Sequence, residues 1–204
     1  MNKVVVATNN QGKLKEFKKI LSEVRLDVVS LRDLNINIEI RETGNTFKKN
    51  AYIKARTIYD IIKLPTIADD SGLEVKFLNG APGVFSARYW GKELNDRQRS
   101  EKILKLMKDE KYKDRDAKFV CVIVLIIPPK NQEQKETIIN SRGECKGKIS
   151  TEFCGKEGFG YDSIFLVGNE TFAQMDPDKK NMISHRGLAL KDLKHKLDLR
   201  TGLI

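Results

Sequence analysis

Apolar positions recur along the chain with two periods, and the switches between them mark out a series of short strands and helices. Val4 to Ala7 is a continuous apolar run, the signature of a short buried strand. The polar stretch Thr8-Asn9-Asn10-Gln11-Gly12-Lys13 reads as a turn, after which Leu14, Phe17, Leu21 and Val24 return at helical spacing. Residues 27–31 predict a second strand. A long helix is predicted from about Thr46 to Ile62, with Phe47, Ala51, Ala55, Ile58 and Ile62 as its buried stripe. A further apolar run over residues 64–68 predicts a buried strand ending at Asp69 and Asp70; the alternation resumes through Leu73 and Val75. Residues 77–80 predict a turn, and 81–89 form a segment punctuated by Gly and Pro. Asn95 to Met107 predicts a helix. Residues 119–127 and 137–145 predict adjacent strands joined by the polar loop 128–136, with residues 143–149 bending toward another short strand. Asp176-Pro177 opens a helix, as N-cap and first helical position. Ser184-His185-Arg186-Gly187 is expected to precede an amphipathic C-terminal helix carrying Leu188, Leu190, Leu193 and Leu197.

Several polar residues sit where this pattern makes them costly. Two acids at the end of a buried strand need a counter-charge or a shifted pKa. A hard cation such as Mg²⁺, which takes carboxylate and phosphate oxygens together, is one economical answer; a surface Asp-Ser-Gly turn is the other. The turn over 8–13 aims backbone N–H groups and a helix dipole at whatever lies above it, which suits an anion, and Lys13 adds a mobile cation. It is not a Walker A loop, since no glycine precedes Gly12 at the required spacing and Leu14 stands where Ser or Thr would bind the metal. Lys54 falls about 20° from Phe47 on the helical wheel, inside the buried stripe, with Asn50 at its margin. An inward lysine either meets an anion or snorkels to solvent. Glu42 lies just before this helix, within reach of a shared metal site. Glycines flank Phe159, leaving its ring face uncovered as base stacking requires, and Asp162 suits a ring N–H; a Gly-rich bend with core aromatics is the alternative. Arg186 offers a planar fork for base carbonyls or phosphate.

The balance of Lys plus Arg, 38, over Asp plus Glu, 28, gives a net charge of +10 and fits a polyanionic partner or a solvated lysine-rich surface. Three cysteines form no CxxC pair, and with two histidines no zinc spacing arises. The odd cysteine count and the lack of a signal peptide point to a reducing, cytoplasmic compartment. The longest apolar run, residues 119–127, is too short for a bilayer, so no membrane partner is expected.

Seven segments together carry a resemblance. In order they are TNNQGKLKEF, ETGNTF, NAYIKA, ADDSGLEV, GAPGVFSARY, GFGYD and ISHRGLAL, spread between Val4 and about Leu193. Each is weak alone; in this order and at these intervals they resemble the inosine triphosphate pyrophosphatase family, which hydrolyses non-standard purine nucleoside triphosphates. The resemblance implies an α/β fold, with a long mixed central sheet flanked by helices and two lobes enclosing an active-site cleft. Residues 1–204 would form one such domain. It implies that Thr8, Asn9, Asn10, Gln11, Gly12 and Lys13 bind the triphosphate. Glu42 and Asp70 would hold Mg²⁺ with Asp69 beside them, and Asp70 matches the proton acceptor. Ser71 and Lys54 would contact phosphate. Phe159, Gly160, Tyr161 and Asp162 would hold the base, with Lys180, His185 and Arg186 closing over base and phosphates. Arg186 donors facing O6 of hypoxanthine or xanthine would reject the amino group of adenine. The family is usually homodimeric. Arg41 and Lys49 depart from its common pattern, which leaves Glu42 and Asp70 as the acidic ligands; Ser163, another departure, would alter loop stiffness only.

Two other readings compete. A nucleic-acid binder would use the positive charge and Phe159 with Tyr161 as stacking rings, but leaves Glu42, Asp69 and Asp70 unexplained. A related pyrophosphatase acting on modified pyrimidine or methylated nucleotides would differ only in its substrate.

Overall fold

A computed structural model describes residues 3–22 and 26–199. Its strands are β1 (Lys3–Val6), β2 (Asp27–Ser30), β3 (Thr66–Val75), β4 (Asp116–Ile127), β5 (Thr137–Ile149), β6 (Phe165–Val167) and β7 (Glu170–Thr171). Its helices are α1 (Gln11–Ser22), α2 (Phe47–Ile62), α3 (Asp96–Leu106), α4 (Pro177–Ile183) and α5 (His185–Asp198). The seven strands form one sheet in the order β2-β1-β3-β4-β5-β6-β7. β1 runs parallel to β2 and β3, whereas β6 is antiparallel to β5 and β7, so the sheet is mixed, as the α/β expectation required. Val24, expected on the stripe of α1, lies outside the described residues. No helix among them is long and apolar enough to cross a membrane.

The chain divides into two compact units. The first takes the residues up to Asp70, Cys121–Gly143 and those from Arg186 onward; the second takes Ser71–Val120 and Glu144–His185. In the first unit, the strand period sorts side chains onto two covered faces. Val4, Val6, Ile67, Ile123 and Leu125 join Phe17 and Leu21 of α1 and Leu190 and Leu193 of α5 in one core. Val5, Ala7, Ala68, Val124 and Ile126 join Ala51, Ala55 and Ile58 of α2 in another. Both faces of β1 are therefore dry, which explains its unbroken apolar run. The core of the second unit gathers Leu73, Val75, Ile103, Met107, Phe119, Ile149, Phe165 and Phe172. Arg115, 2 % exposed, crosses that core and donates to the carbonyls of Met107, Ile149 and Ser150.

Helix starts follow local chemistry. Thr46 caps α2 by accepting from Lys49 N–H, Asn95 and Gln98 form a capping box on α3, and Asp176 caps α4 ahead of Pro177. Three expectations need correction. β3 does not end at the acids: it stays extended through Asp69, Asp70, Ser71 and Gly72 to Val75, because its place inside the sheet overrides the turn preference of Ser-Gly. β5 does not bend at Gly143 but continues to Ile149. Gly147 serves close approach there, since a Cβ on it would meet the Leu166 carbonyl oxygen at 2.4 Å. Finally, Gln11, Gly12 and Lys13 form the first turn of α1, and His185, Arg186 and Gly187 that of α5, rather than loops before them.

Candidate functional site

β1 ends at Val6, opposite Ile67, while β3 continues past that level. The carboxyl end of a parallel strand is thus left open where Asp69 and Asp70 emerge, the usual place for a ligand in an open α/β sheet. Successive residues of a strand face opposite sides. Asp69, in phase with Ile67, meets α1 and α5; Asp70, in phase with Ala68, meets α2.

On the first face, Asp69 is fully covered. Its Oδ2 takes Lys13 Nζ at 3.0 Å and the Arg186 fork, Nη2 at 3.1 Å and Nε at 3.3 Å. The remaining fork nitrogen of Arg186, Nη1, pairs with Glu16. Cys121 Sγ donates to the same Asp69 oxygen at 3.8 Å, and burial pushes that thiol up, out of its reactive range. Asp69 Oδ1 has no partner among the described residues. Burial alone would raise the Asp69 pKa, but Lys13 and Arg186 outweigh it and hold the carboxyl well below the usual range.

On the second face, Asn50 Nδ2 donates to Asp70 Oδ2 at 3.1 Å, and Lys54 Nζ lies 3.4 Å from Asp70 Oδ1 while also pairing with Glu42. Burial raises the Asp70 pKa above its ordinary value; Lys54 and Lys13 oppose this and Glu42 adds to it. Burial would lower Lys54, but Asp70, Asp69 and Glu42 more than offset it, so the ammonium is held charged. Neighbours in sequence, the two acids are pushed in opposite directions by different helices.

Above β1, Thr8 Oγ1 accepts from Asn10 N–H and Asn10 Oδ1 accepts from Lys13 N–H, which caps α1. No acid lies in the first turn of α1, so nothing there cancels its positive end. Asn9 and Gln11 are exposed, Gly12 half-buried. The first unit therefore gathers the 8–13 segment, Glu42, Lys54, Asp69, Asp70 and Arg186. It also brings in Asn50 and Glu16, which the sequence did not assign. Asn50 is wholly buried and its Oδ1 accepts from Gly44 N–H at 2.8 Å, fixing the segment that carries Glu42. The signal was present: a polar residue at the stripe margin, and a glycine six residues earlier, where a Cβ would meet Asn50 Oδ1 at 2.6 Å.

In the second unit, Ser71 is half-buried on β3. Asp162 Oδ2 accepts from Phe159 N–H at 2.9 Å and from Lys180 Nζ at 2.8 Å. Lys180 lies over the Phe159 ring, 5.0 Å from its centroid, so one face of that ring carries a cation. Gly158, at φ +83°, makes room for this, since a Cβ would meet Asp162 Oδ2 at 2.2 Å. Gly160 N–H is held by Asp96 at 2.8 Å. Tyr161 is not a stacking platform: it is 4 % exposed and donates its hydroxyl to the Ser86 carbonyl, because its ring belongs to the core. His185 is buried and stacked on Phe119, centroids 4.6 Å apart. The Arg186 fork meets Asp69 and Glu16.

Glu42 and Asp70 converge on the Lys54 ammonium, which stands where a small cation would. Two carboxylates with further positions left to water and phosphate oxygens make an ordinary donor set for Mg²⁺. The residues fit that ion, although no group of three or more His, Cys, Asp or Glu gathers among the described residues.

A model of the Ham1 family matches residues 4–196. A dITP/XTP pyrophosphatase of Clostridium tetani is 48 % identical, covering 97 % of this chain and 96 % of its own. Another, of Vibrio parahaemolyticus, is 45 % identical and covers 99 % and 100 %. Among solved structures, a HAM1 protein from Coxiella burnetii is 40 % identical with a TM-score of 0.84, covering 98 % of this chain and 100 % of that one.

Proposed function

This chain belongs to the Ham1 family, and on that premise we propose that it is a nucleoside-triphosphate pyrophosphatase that hydrolyses non-standard purine nucleotides (ITP, dITP and XTP) to the monophosphate and pyrophosphate. The observation that carries the reading is the split pair on β3: Asp69 closed in by Lys13 and the Arg186 fork, Asp70 turned to Asn50 and to an ammonium it shares with Glu42. The triphosphate is assigned to Thr8–Lys13, where the end of α1 and Lys13 face it, and to Lys54 and Ser71. Asp70 accepts the proton of the attacking water, with Asn50 fixing the carboxyl that takes it. Lys54 stays charged and neutralises phosphate oxygens as negative charge builds on them. Asp69 holds Lys13 and Arg186 in register, and Arg186 acts through Asp69. Glu42 and Asp70 would hold Mg²⁺, which supplies charge neutralisation and lowers the pKa of water.

The base is assigned to Phe159–Asp162 with Lys180 and His185. A purine with oxygen at position 6 offers an acceptor to the Lys180 ammonium, whereas adenine places a donor there and leaves buried groups unmatched, at about 1–3 kcal/mol each. Both units would belong to one catalytic domain, working as a cytoplasmic homodimer on free nucleotides; the sequence resemblance supports these points.

Pyrophosphate release from ITP, XTP, dITP, GTP, ATP and dUTP, with Mg²⁺ and with EDTA, tests the proposal. ITP, dITP and XTP should exceed ATP by orders of magnitude in kcat/KM, and EDTA should abolish turnover. Equal turnover of ATP, or Asp70→Asn retaining near-normal rates, would refute it.

A further inference from the structure

Resting on the assignment of residues 158–162 to the base, we propose that Asp96 is a positioning residue for the purine: it sets the attitude of Phe159 by gripping the peptide that follows it. Asp96 is the first residue of α3. Its Oδ2 accepts from Gly160 N–H at 2.8 Å, and its Oδ1 faces Arg99 Nη1 at 3.4 Å. Ser100, one turn further on the same helix face, directs its hydroxyl to the Gly160 carbonyl at 3.5 Å. The other end of the Phe159–Gly160 peptide is also held, since Phe159 C=O accepts from Asp162 N–H at 3.2 Å.

A trans peptide carries its N–H and C=O on opposite sides, so bonding both ends fixes its plane. The restraint matters because Phe159 lies between two residues of low backbone cost for rotation, Gly158 at φ +83° and Gly160 at φ +63°. Asp162 restrains this loop from within; Asp96 restrains it from a separate helix. Nothing in the core asks for an acid at this position, as the Asp96 side chain is 57 % exposed. Arg99 beneath it is buried, so the fork that steadies Asp96 is anchored.

The test compares wild type with Asp96→Ala and Asp96→Asn. It uses amide hydrogen exchange of a peptide spanning residues 158–162, together with KM and kcat for ITP. Asp96→Ala should speed exchange in that peptide and raise KM for ITP about tenfold, with kcat changed less than about threefold. Asp96→Asn keeps an acceptor oxygen and should restore both readouts. Unchanged exchange, an unchanged KM, or no rescue by Asn would overturn the inference. If wild type released no pyrophosphate from any purine nucleotide, the proposed function would fall instead, and the exchange result would still decide whether Asp96 grips the loop.

Discussion

Asp69→Asn isolates the buried ion network. The Asp69 side chain is 0 % exposed and Arg186 2 %, so the substitution takes an anion away from a guanidinium in the core, which still meets Glu16. Lys13, at 16 %, can turn toward water and loses less. Breaking a buried pair from one side costs about 3–5 kcal/mol, and Glu16 keeps this case near the lower end, about 3 kcal/mol. In a chain of this size each kcal/mol moves Tm by about 2–4 °C, so a fall of about 6–12 °C is expected. The pH dependence has a definite sign. A carboxyl held below its unfolded value contributes stability above that value, near 3.8, and loses it as pH falls through the folded pKa. The gap between wild type and Asp69→Asn should therefore be flat near neutrality and narrow below about pH 4. Thermal melts followed by circular dichroism in EDTA, from acid to neutral pH, measure both. A neutral-pH Tm within about 2 °C of wild type would mean that the network is idle.

Three further outcomes follow from the same geometry. Asp70→Asn should abolish turnover yet lower Tm less than Asp69→Asn does near neutral pH in EDTA, since Lys54 keeps Glu42 as a partner. Raised above its unfolded value, Asp70 contributes stability below about pH 3.8 and loses it as pH climbs through the folded pKa, so the neutral amide escapes that loss; a drop in Tm as large as that of Asp69→Asn would contradict this. Gly44→Ala should push Asn50 off Asp70 and lower kcat/KM for ITP at least tenfold by the loss of about one buried hydrogen bond, with steady-state kinetics as the check. Arg115→Leu should lower Tm by about 6 °C or more with little change in KM, because it strips donors from at least three buried carbonyls of the second unit, at about 1–3 kcal/mol each.

What the sequence made legible is what repeats locally. The phase of α2 placed Lys54 inward, and Asp176-Pro177 marked the start of α4, because a cap is satisfied within three residues. The end of β3 was misread for the same reason. Ser71-Gly72 prefers a turn, and only membership of the sheet, set by strands far off in the chain, keeps it extended. The pairing of Arg186 with Asp69 was out of reach because the two lie 117 positions apart. Asn50 passed as a stripe-edge residue since its value depends on Gly44 and Asp70 meeting it at once.

The division of labour between Asp69 and Asp70 belongs to this second class. As side chains they are identical and adjacent. Strand alternation alone says they face apart, but not which will be the stronger base. That is decided by what each face brings: on one side Lys13 and the Arg186 fork close on a carboxylate without solvent, on the other a neutral amide and a shared ammonium leave burial ahead. Exchanging the two environments would exchange the two roles. On the proposed function, the proton acceptor is a residue whose neighbour, one peptide away, is held as an anion, and strand alternation keeps the two apart. The continuity of β3 past Asp70 into Ser71-Gly72 keeps both acids inside the strand, on opposite faces of the sheet.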